Sequence, residues 1–325
     1  MRSARMSRAR ARTAAGILAG LAVLGIAGCG SSSDKADSGA GSVTVTHAYG
    51  ETTVPQVPKR VVALGNQWLD ATLSLGVTPV GYIDNVAQVS KSRTAWEPAS
   101  LSQAKELGNN GLAESIAALN PDLILADGLY ADEKIYATFS KIAPTLPALS
   151  KAMVTPWQDQ MTALGKVLHK ENEAAAAVAK VTDRVGALAK KYPGLQGRTF
   201  ASTWLASPNQ LMVLIDPKDG STTLFTQLGL HIPEQLTKLP NNGGRSQLSP
   251  ERVDALQADL LLAASSPGLE DTYRHLPGYA DLPAVRKHAV AELTTQDIAG
   301  INQPTALSLP YLLDKIEPAL AAAAA

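Results

Sequence analysis

The chain has 325 residues, 45% of them hydrophobic and 18% charged, with formal charges that cancel to zero. That composition suits a globular protein long enough for one large domain or two lobes, and neutrality argues against nucleic acid as a partner, which calls for a basic excess. The charge is unevenly placed: Arg2, Arg5, Arg8, Arg10 and Arg12 precede residue 29 with no acidic residue among them, which leaves 24 basic side chains against 29 acidic in the remainder.

Those arginines and the following "TAAGILAGLAVLGIAG" have the form of a secretory signal over residues 1–28. Its apolar run of about 15 residues falls short of the ~20 that a helix needs to cross a bilayer. Ile26-Ala27-Gly28-Cys29 resembles a bacterial lipobox, and Cys29 is the one cysteine of the chain. A thiol is the right nucleophile for thioether formation, and small residues before it let the backbone enter a peptidase. An ordinary cleaved signal with an unrelated cysteine is the alternative. Two acyl chains on Cys29 would anchor the protein stably where one gives only marginal binding. Residues 29–42, with "GSSSDKADSGAGS" after the cysteine, read as a flexible tether reaching on the order of 20 Å. The expectation is an extracytoplasmic protein anchored by Cys29 to the outer face of the cell membrane.

Next in the chain, "RVVALGNQWLDATLSLGVTPVGYID" (60–84) predicts a strand, a loop, a helix closed by Leu75-Gly76-Val77, and a second strand. "ESIAALNPDLILA" (114–126) predicts a short helix, a turn and a strand buried on both faces. Residues 156–194 lack strand signals and predict a short helix to about Leu168, then a long one from Lys170 to Tyr192. That second helix would reach roughly 35 Å, with Val178, Val181, Val185 and Leu188 as its apolar stripe. The pattern then repeats. "RTFASTWLA" (198–206) gives strand and loop, "TLFTQLGLHIP" (223–233) a helix closed by Leu228-Gly229-Leu230, and "ERVDALQADLLLA" (251–263) matches residues 114–126 at seven of thirteen positions. Gly76 and Gly229 fall where a helix end calls for a left-handed residue.

Strands alternating with helices in two similar halves predict an α/β protein of two Rossmann-like lobes with parallel sheets, joined by one long connecting α-helix. The lobes span 43–154 and 196–325, with the helical connector at 155–195. A single continuous domain with a surface helix is the alternative. Enzyme signatures are missing: there is no G-x-S-x-G elbow, phosphate loop, H-E-x-x-H or G-x-G-x-x-G. His47, His169, His231, His275 and His288 lack zinc-ligand spacing.

The ordered set Pro58-Lys59-Arg60-Val61-Val62, Leu75 to Gly81, Glu114-Ser115-Ile116, Leu119 to Ile124, Lys141-Ile142-Ala143-Pro144 and Leu282-Pro283-Ala284-Val285 resembles the substrate-binding lipoproteins of iron-siderophore ABC importers. The vitamin B12 and haem receptors share that group. The resemblance implies the class III periplasmic binding protein fold, with ligand held between two lobes joined by a long helix. It also implies that Glu114 and Glu251, each opening the equivalent helix of its lobe, dock on arginines of a membrane permease. Capping is a compatible role, since a carboxylate in the first turn complements the helix dipole.

In open α/β sheets ligands sit beyond the carboxyl ends of the strands. Reading on from each predicted strand gives Asn66, Gln67 and Trp68; Asp84 and Asn85, opening a loop with Arg93 and Trp96; Asp127, Gly128, Leu129 and Tyr130; then Trp204, Ser265 and Ser266. Aromatics make up only 5% of the chain, yet Trp68, Tyr130 and Trp204 each follow a strand end. Flat rings suit a bulky chelate, although lobe packing is the alternative for each. The family's usual arginine donor points to Arg245, in "NNGGRSQ", and Arg93. Some relatives carry an arginine two residues after a tryptophan matching Trp204, where this chain has Ala206. Aspartates without lysines at the strand ends favour a neutral or cationic ferric hydroxamate over a triply negative catecholate.

The implied function is capture of a ferric siderophore and delivery to an ABC permease by a monomeric receptor, with no catalysis and no cofactor beyond the iron of the ligand. The rivals are cobalamin or haem on the same scaffold, an extracytoplasmic enzyme, and a sensor.

Overall fold

The computed structural model describes residues 41–152 and 154–325. The signal segment, Cys29 and most of the tether lie outside the described residues. The first described elements, β1 (Val43–His47) and β2 (Gly50–Val54), pair as an antiparallel hairpin.

The first lobe follows in chain order: β3 (Val61–Leu64), α1 (Asn66–Ser74), β4 (Gly81–Ile83), α2 (Asn85–Ser90), β5 (Lys105–Glu106), α3 (Leu112–Ala117), β6 (Leu123–Ala126), α4 (Glu133–Phe139) and β7 (Thr145–Leu146). The sheet order is β5-β4-β3-β6-β7, with every neighbour parallel. Each residue of β3 and β6 is buried, as their unbroken apolar runs require of central strands covered on both faces. Helix α1 ends as its sequence predicts. Gly76 is left-handed (φ 72°), its N–H donates to Leu73, and the Val77 N–H reaches back to Thr72 at 3.1 Å, which closes a Schellman cap.

The connector is two helices, α5 (Trp157–Val167) and α6 (Glu171–Lys191). Val181, Val185 and Leu188 are buried along α6 and Val178 is half-buried. Glu171 and Glu173 open the helix while Lys190 and Lys191 close it, the favourable order for its dipole. Helix α5 packs on α1, and α6 packs on α5 and on the second lobe, so the pair forms a brace between the lobes.

The second lobe comprises β8 (Phe200–Ser207), β9 (Gln210–Leu214), α7 (Thr223–Gln227), α8 (Glu234–Thr237), β10 (Arg245–Leu248), β11 (Leu260–Ser265), α9 (Glu270–Arg274), α10 (Pro283–Arg286), β12 (Val290–Leu293), α11 (Thr295–Asn302) and α12 (Ser308–Ala324). Its sheet runs β10-β9-β8-β11-β12. Strands β8, β11 and β12 are parallel, whereas β9 and β10 are antiparallel additions, so this sheet is mixed where the sequence predicts a parallel one. The reason is the connection: Pro208-Asn209 joins β8 to β9 in a tight hairpin, and a parallel neighbour would need a crossover of a dozen residues or more. Leu228-Gly229-Leu230 repeats the cap of α1, with Gly229 left-handed at φ 89° and the Leu230 N–H reaching Phe225 at 2.9 Å. It leads only to one parallel bridge, Thr199 to His231, where the first lobe has β4. The predicted helix at Glu251 is a 3-10 turn, Pro250–Ala255, the winding favoured for so short a piece. The described residues cluster as one compact unit.

Candidate functional site

The carboxyl ends of the two sheets face each other across a cleft. A hollow of about 410 Å³ lies there, lined from the first lobe by Gln67, Asp127 and Leu129, from the connector by Thr155 and Gln160, and from the second lobe by Met212, Asn242, Arg245, Asn302 and Gln303. Two smaller hollows adjoin it. One of about 190 Å³ lies against Trp204, Met212, Arg245 and Asn302. Another, about 230 Å³, opens at the rim between Val89, Leu129, Trp204 and Ile298. Together they are of the size that takes a bulky small molecule.

Of the six predicted ligand contacts, the structure brings two together in this cleft. Trp204 is half-buried on β8 and lines two of the hollows, with its indole N–H buried and without a partner. Arg245 opens β10, and its side chain is 19% exposed; its guanidinium is the part engaged. It is held by the carboxylate of Asp219 and donates to Asn302 Oδ1 at 3.3 Å. Asp219 is itself fixed by the N–H and hydroxyl of Ser221, at 2.9 and 2.6 Å. The charge of Arg245 is therefore largely spent inside the protein.

The other four stand elsewhere. Trp68 is 0% exposed and belongs to the core, because the fourth residue after the end of β3 is already the third of α1, whose residues through Leu73 are buried. Trp96 stitches the lobes together. Its indole N–H donates to Asp70 at 2.9 Å, while its ring lies 5.8 Å from Tyr311 and crowds Gly300. Arg93 pairs with Glu97 and is 66% exposed, off the lining of the hollows. Tyr130 packs half-buried against the first lobe's core and lines none of the three hollows.

Three carboxyls crowd the strand ends of the first lobe. Burial pushes Asp127, on the cleft wall, up to about 7, against one stabilising hydrogen bond from the Leu129 N–H. Asp84 caps α2 through the Ala87 N–H at 2.9 Å, and burial lifts it to about 6. Asp70 on α1 is raised by burial to about 8 although its Oδ2 accepts from Trp96, from Thr305 Oγ1 at 2.6 Å and from Asn66 Nδ2 at 3.1 Å. Gly65 makes room for this arrangement. It has φ 99°, and a Cβ there would stand 1.7 Å from Asp127 Oδ2, so only glycine lets β3 end beside that carboxyl.

The strand-end rule reaches Gln67 and Asp127 but not Met212, Asn302 or Gln303. Met212 belongs to the hairpin strand, whose signal was Pro208-Asn209. Asn302 and Gln303 sit at the far end of α11, a place that strand periodicity does not mark. Among the described residues no three His, Cys, Asp or Glu side chains gather to hold a metal ion. The cleft's chemistry is amide hydrogen bonding, one paired arginine, the buried carboxyl of Asp127 and apolar contact.

Two α/β lobes braced by helices, with a ligand-sized cleft at their facing strand ends, define a binding protein of the interlobe-cleft class. The chain belongs to the periplasmic binding protein family, whose profile matches residues 61–296. It is similar to the "Probable siderophore-binding lipoprotein YfiY" of Bacillus subtilis, 27% identical over 321 residues that cover 91% of this chain and 94% of that one. Among solved structures, a periplasmic solute binding protein from Mycobacterium smegmatis shares 29% identity at a TM-score of 0.74, covering 88% of this chain and 99% of its own. Staphylococcus aureus SirA complexed with staphyloferrin B shares 26% identity at a TM-score of 0.71, covering 86% and 98%.

Proposed function

We propose that this protein captures a ferric siderophore in the interlobe cleft and delivers it to the permease of an ABC importer. The observation that carries the reading is the cleft itself. Its main hollow of about 410 Å³ is lined largely by amide and apolar side chains at the carboxyl ends of both sheets, in a fold shared with relatives whose names specify siderophores. Iron enters as cargo inside its chelate. A hydroxamate chelate suits the field best. Arg245 is neutralised by Asp219 and the opposite wall carries Asp127, so a triply negative catecholate would meet little net positive charge.

Glu114 and Glu251 are exposed, each in the first turn of an element that precedes a central strand. That placement supports a docking role at permease arginines. Lipidation of Cys29 would hold the monomeric receptor at the outer face of the membrane, within tether reach of that permease.

The test is a tryptophan-fluorescence titration of the chain from Ser38 onward with ferric trihydroxamates, a ferric tricatecholate, haem and cobalamin, each beside its metal-free control where one exists. Saturable quenching by a hydroxamate at micromolar or tighter affinity, weakened by Trp204→Ala, is the expected result. Binding of haem or cobalamin alone would retain the receptor and replace its ligand. Turnover of a substrate would replace the class.

A further inference from the structure

We propose that the hollow at the rim is a subsite for an apolar arm of the ligand, so that the preferred chelate is amphiphilic, an iron-binding head with an aliphatic or aromatic appendage. This rests on the siderophore reading above and specifies its substrate. Among the described residues four large hydrophobic side chains are exposed, and two of them, Val89 (51%) and Leu129 (58%), meet at this one place. Trp204, Ile298 and Ala299 face them, and no lining residue is charged.

Neither lip is a loose loop tip. Leu129 sits in a turn whose backbone N–H donates to Asp127 Oδ1 at 3.0 Å, with the N–H groups of Tyr130 and Ala131 bonded to the Asp127 carbonyl. Val89 lies on α2, which is capped by Asp84 and packs against α11. Holding apolar groups in water in a fixed geometry gains nothing for folding, whereas covering them by a ligand does.

The occupant is set by continuity. Leu129, Asn302 and Gln303 line both the main hollow and the rim. One molecule can therefore place its chelate among the amides and extend an arm past Leu129 without crossing a wall. The volume, about 230 Å³, accepts a short acyl chain or one aromatic ring.

The experiment uses one linear ferric trihydroxamate whose terminal amine is capped either with acetyl or with hexanoyl, so that the two ligands have equal charge and differ only in the arm. Both are titrated against the chain from Ser38 and against its Val89→Ser/Leu129→Ser variant, substitutions at exposed positions that leave the core intact. Hexanoyl is expected to bind about tenfold more tightly than acetyl, the gain from half-covering its extra methylenes. The double variant is expected to bind the two ligands equally; because Leu129 also lines the main hollow, the readout is the ratio of the two affinities on each protein and not either affinity alone. Equal binding of the two ligands by the unmodified chain, with the acetyl form bound, overturns the subsite alone. A gain that survives the double substitution overturns it too and leaves the patch to another occupant, such as a permease loop. Failure of both ligands to bind the unmodified chain overturns the hydroxamate reading, and the subsite with it.

Discussion

At the scale of single residues, the selectivity of the cleft turns on Asp219. Arg245 is the charged donor in reach of the main hollow, and Asp219, only 2% exposed, holds its guanidinium. A carboxylate so placed keeps the cleft near neutral, which favours an uncharged ferric hydroxamate. Asp219→Asn keeps a similar shape and retains an acceptor for the Ser221 hydroxyl, but leaves the arginine's charge uncompensated. The expected outcome is a change in preference: affinity for an anionic ferric catecholate rises by about tenfold relative to a neutral hydroxamate, the scale of one charge–charge contact in a partly buried site. Paired titrations of the two ligands read the ratio directly. An unchanged ratio would mean that Arg245 does not face the bound chelate. Arg93, picked out by the same reasoning about donors, holds a partner in Glu97 and lies off the hollows. Residue type alone does not separate a cleft arginine from a surface one.

At the scale of elements, α1 is the joint between the lobes. Its Asp70 accepts from Trp96 of its own lobe and from Thr305, which leads into α12 of the other. Burial keeps a proton on Asp70 of the folded protein up to about pH 8, whereas the carboxyl's ordinary value is 3.8. Between those limits the folded state binds more protons than the unfolded one, so stability falls as pH rises, by at most about 1.4 kcal/mol per pH unit for one such group. Asp84 and Asp127, raised in the same way, add to the slope. Asp70→Asn mimics the protonated form and removes its titration. Urea unfolding is expected to show a smaller loss between pH 5 and pH 8 in the variant, which should be the more stable protein at pH 8. Equal losses would place the proton elsewhere.

The joint also shows what the sequence conceals. The helices of the connector, the Gly76 and Gly229 caps and the buried strands β6 and β11 were legible, because local periodicity and a φ requirement specify each. Asp70 was not, since its partners come from 26 and 235 residues away. The tryptophans misled for the same reason. Trp68 stands in the first turn of α1, Trp96 in a loop and Trp204 within β8, and only the tertiary packing decides which ring faces core, seam or cleft.

At the scale of the whole molecule, the lobes are fastened on more than one side of the cleft. The α5–α6 brace packs on both, and α2 with its following loop meets α11 through Asn85 to Gln303 at 2.9 Å and Gln296 to the Arg93 carbonyl at 2.9 Å. Ligand binding in such a frame should move the lobes little, by roughly the 1 Å typical of preorganised partners. That bears on docking. If permease arginines grip Glu114 on one lobe and Glu251 on the other, a spacing that hardly changes cannot tell the permease whether the cleft is full. Empty and ferric-loaded protein should then bind permease vesicles with affinities within about threefold of each other, less than 1 kcal/mol. Glu114→Ala and Glu251→Ala should weaken both forms alike without altering siderophore affinity, and added salt should do the same. A loaded form that docks a hundredfold more tightly would require the lobes to swing, and with that the seam at Gln296 and Asn85 to break on binding.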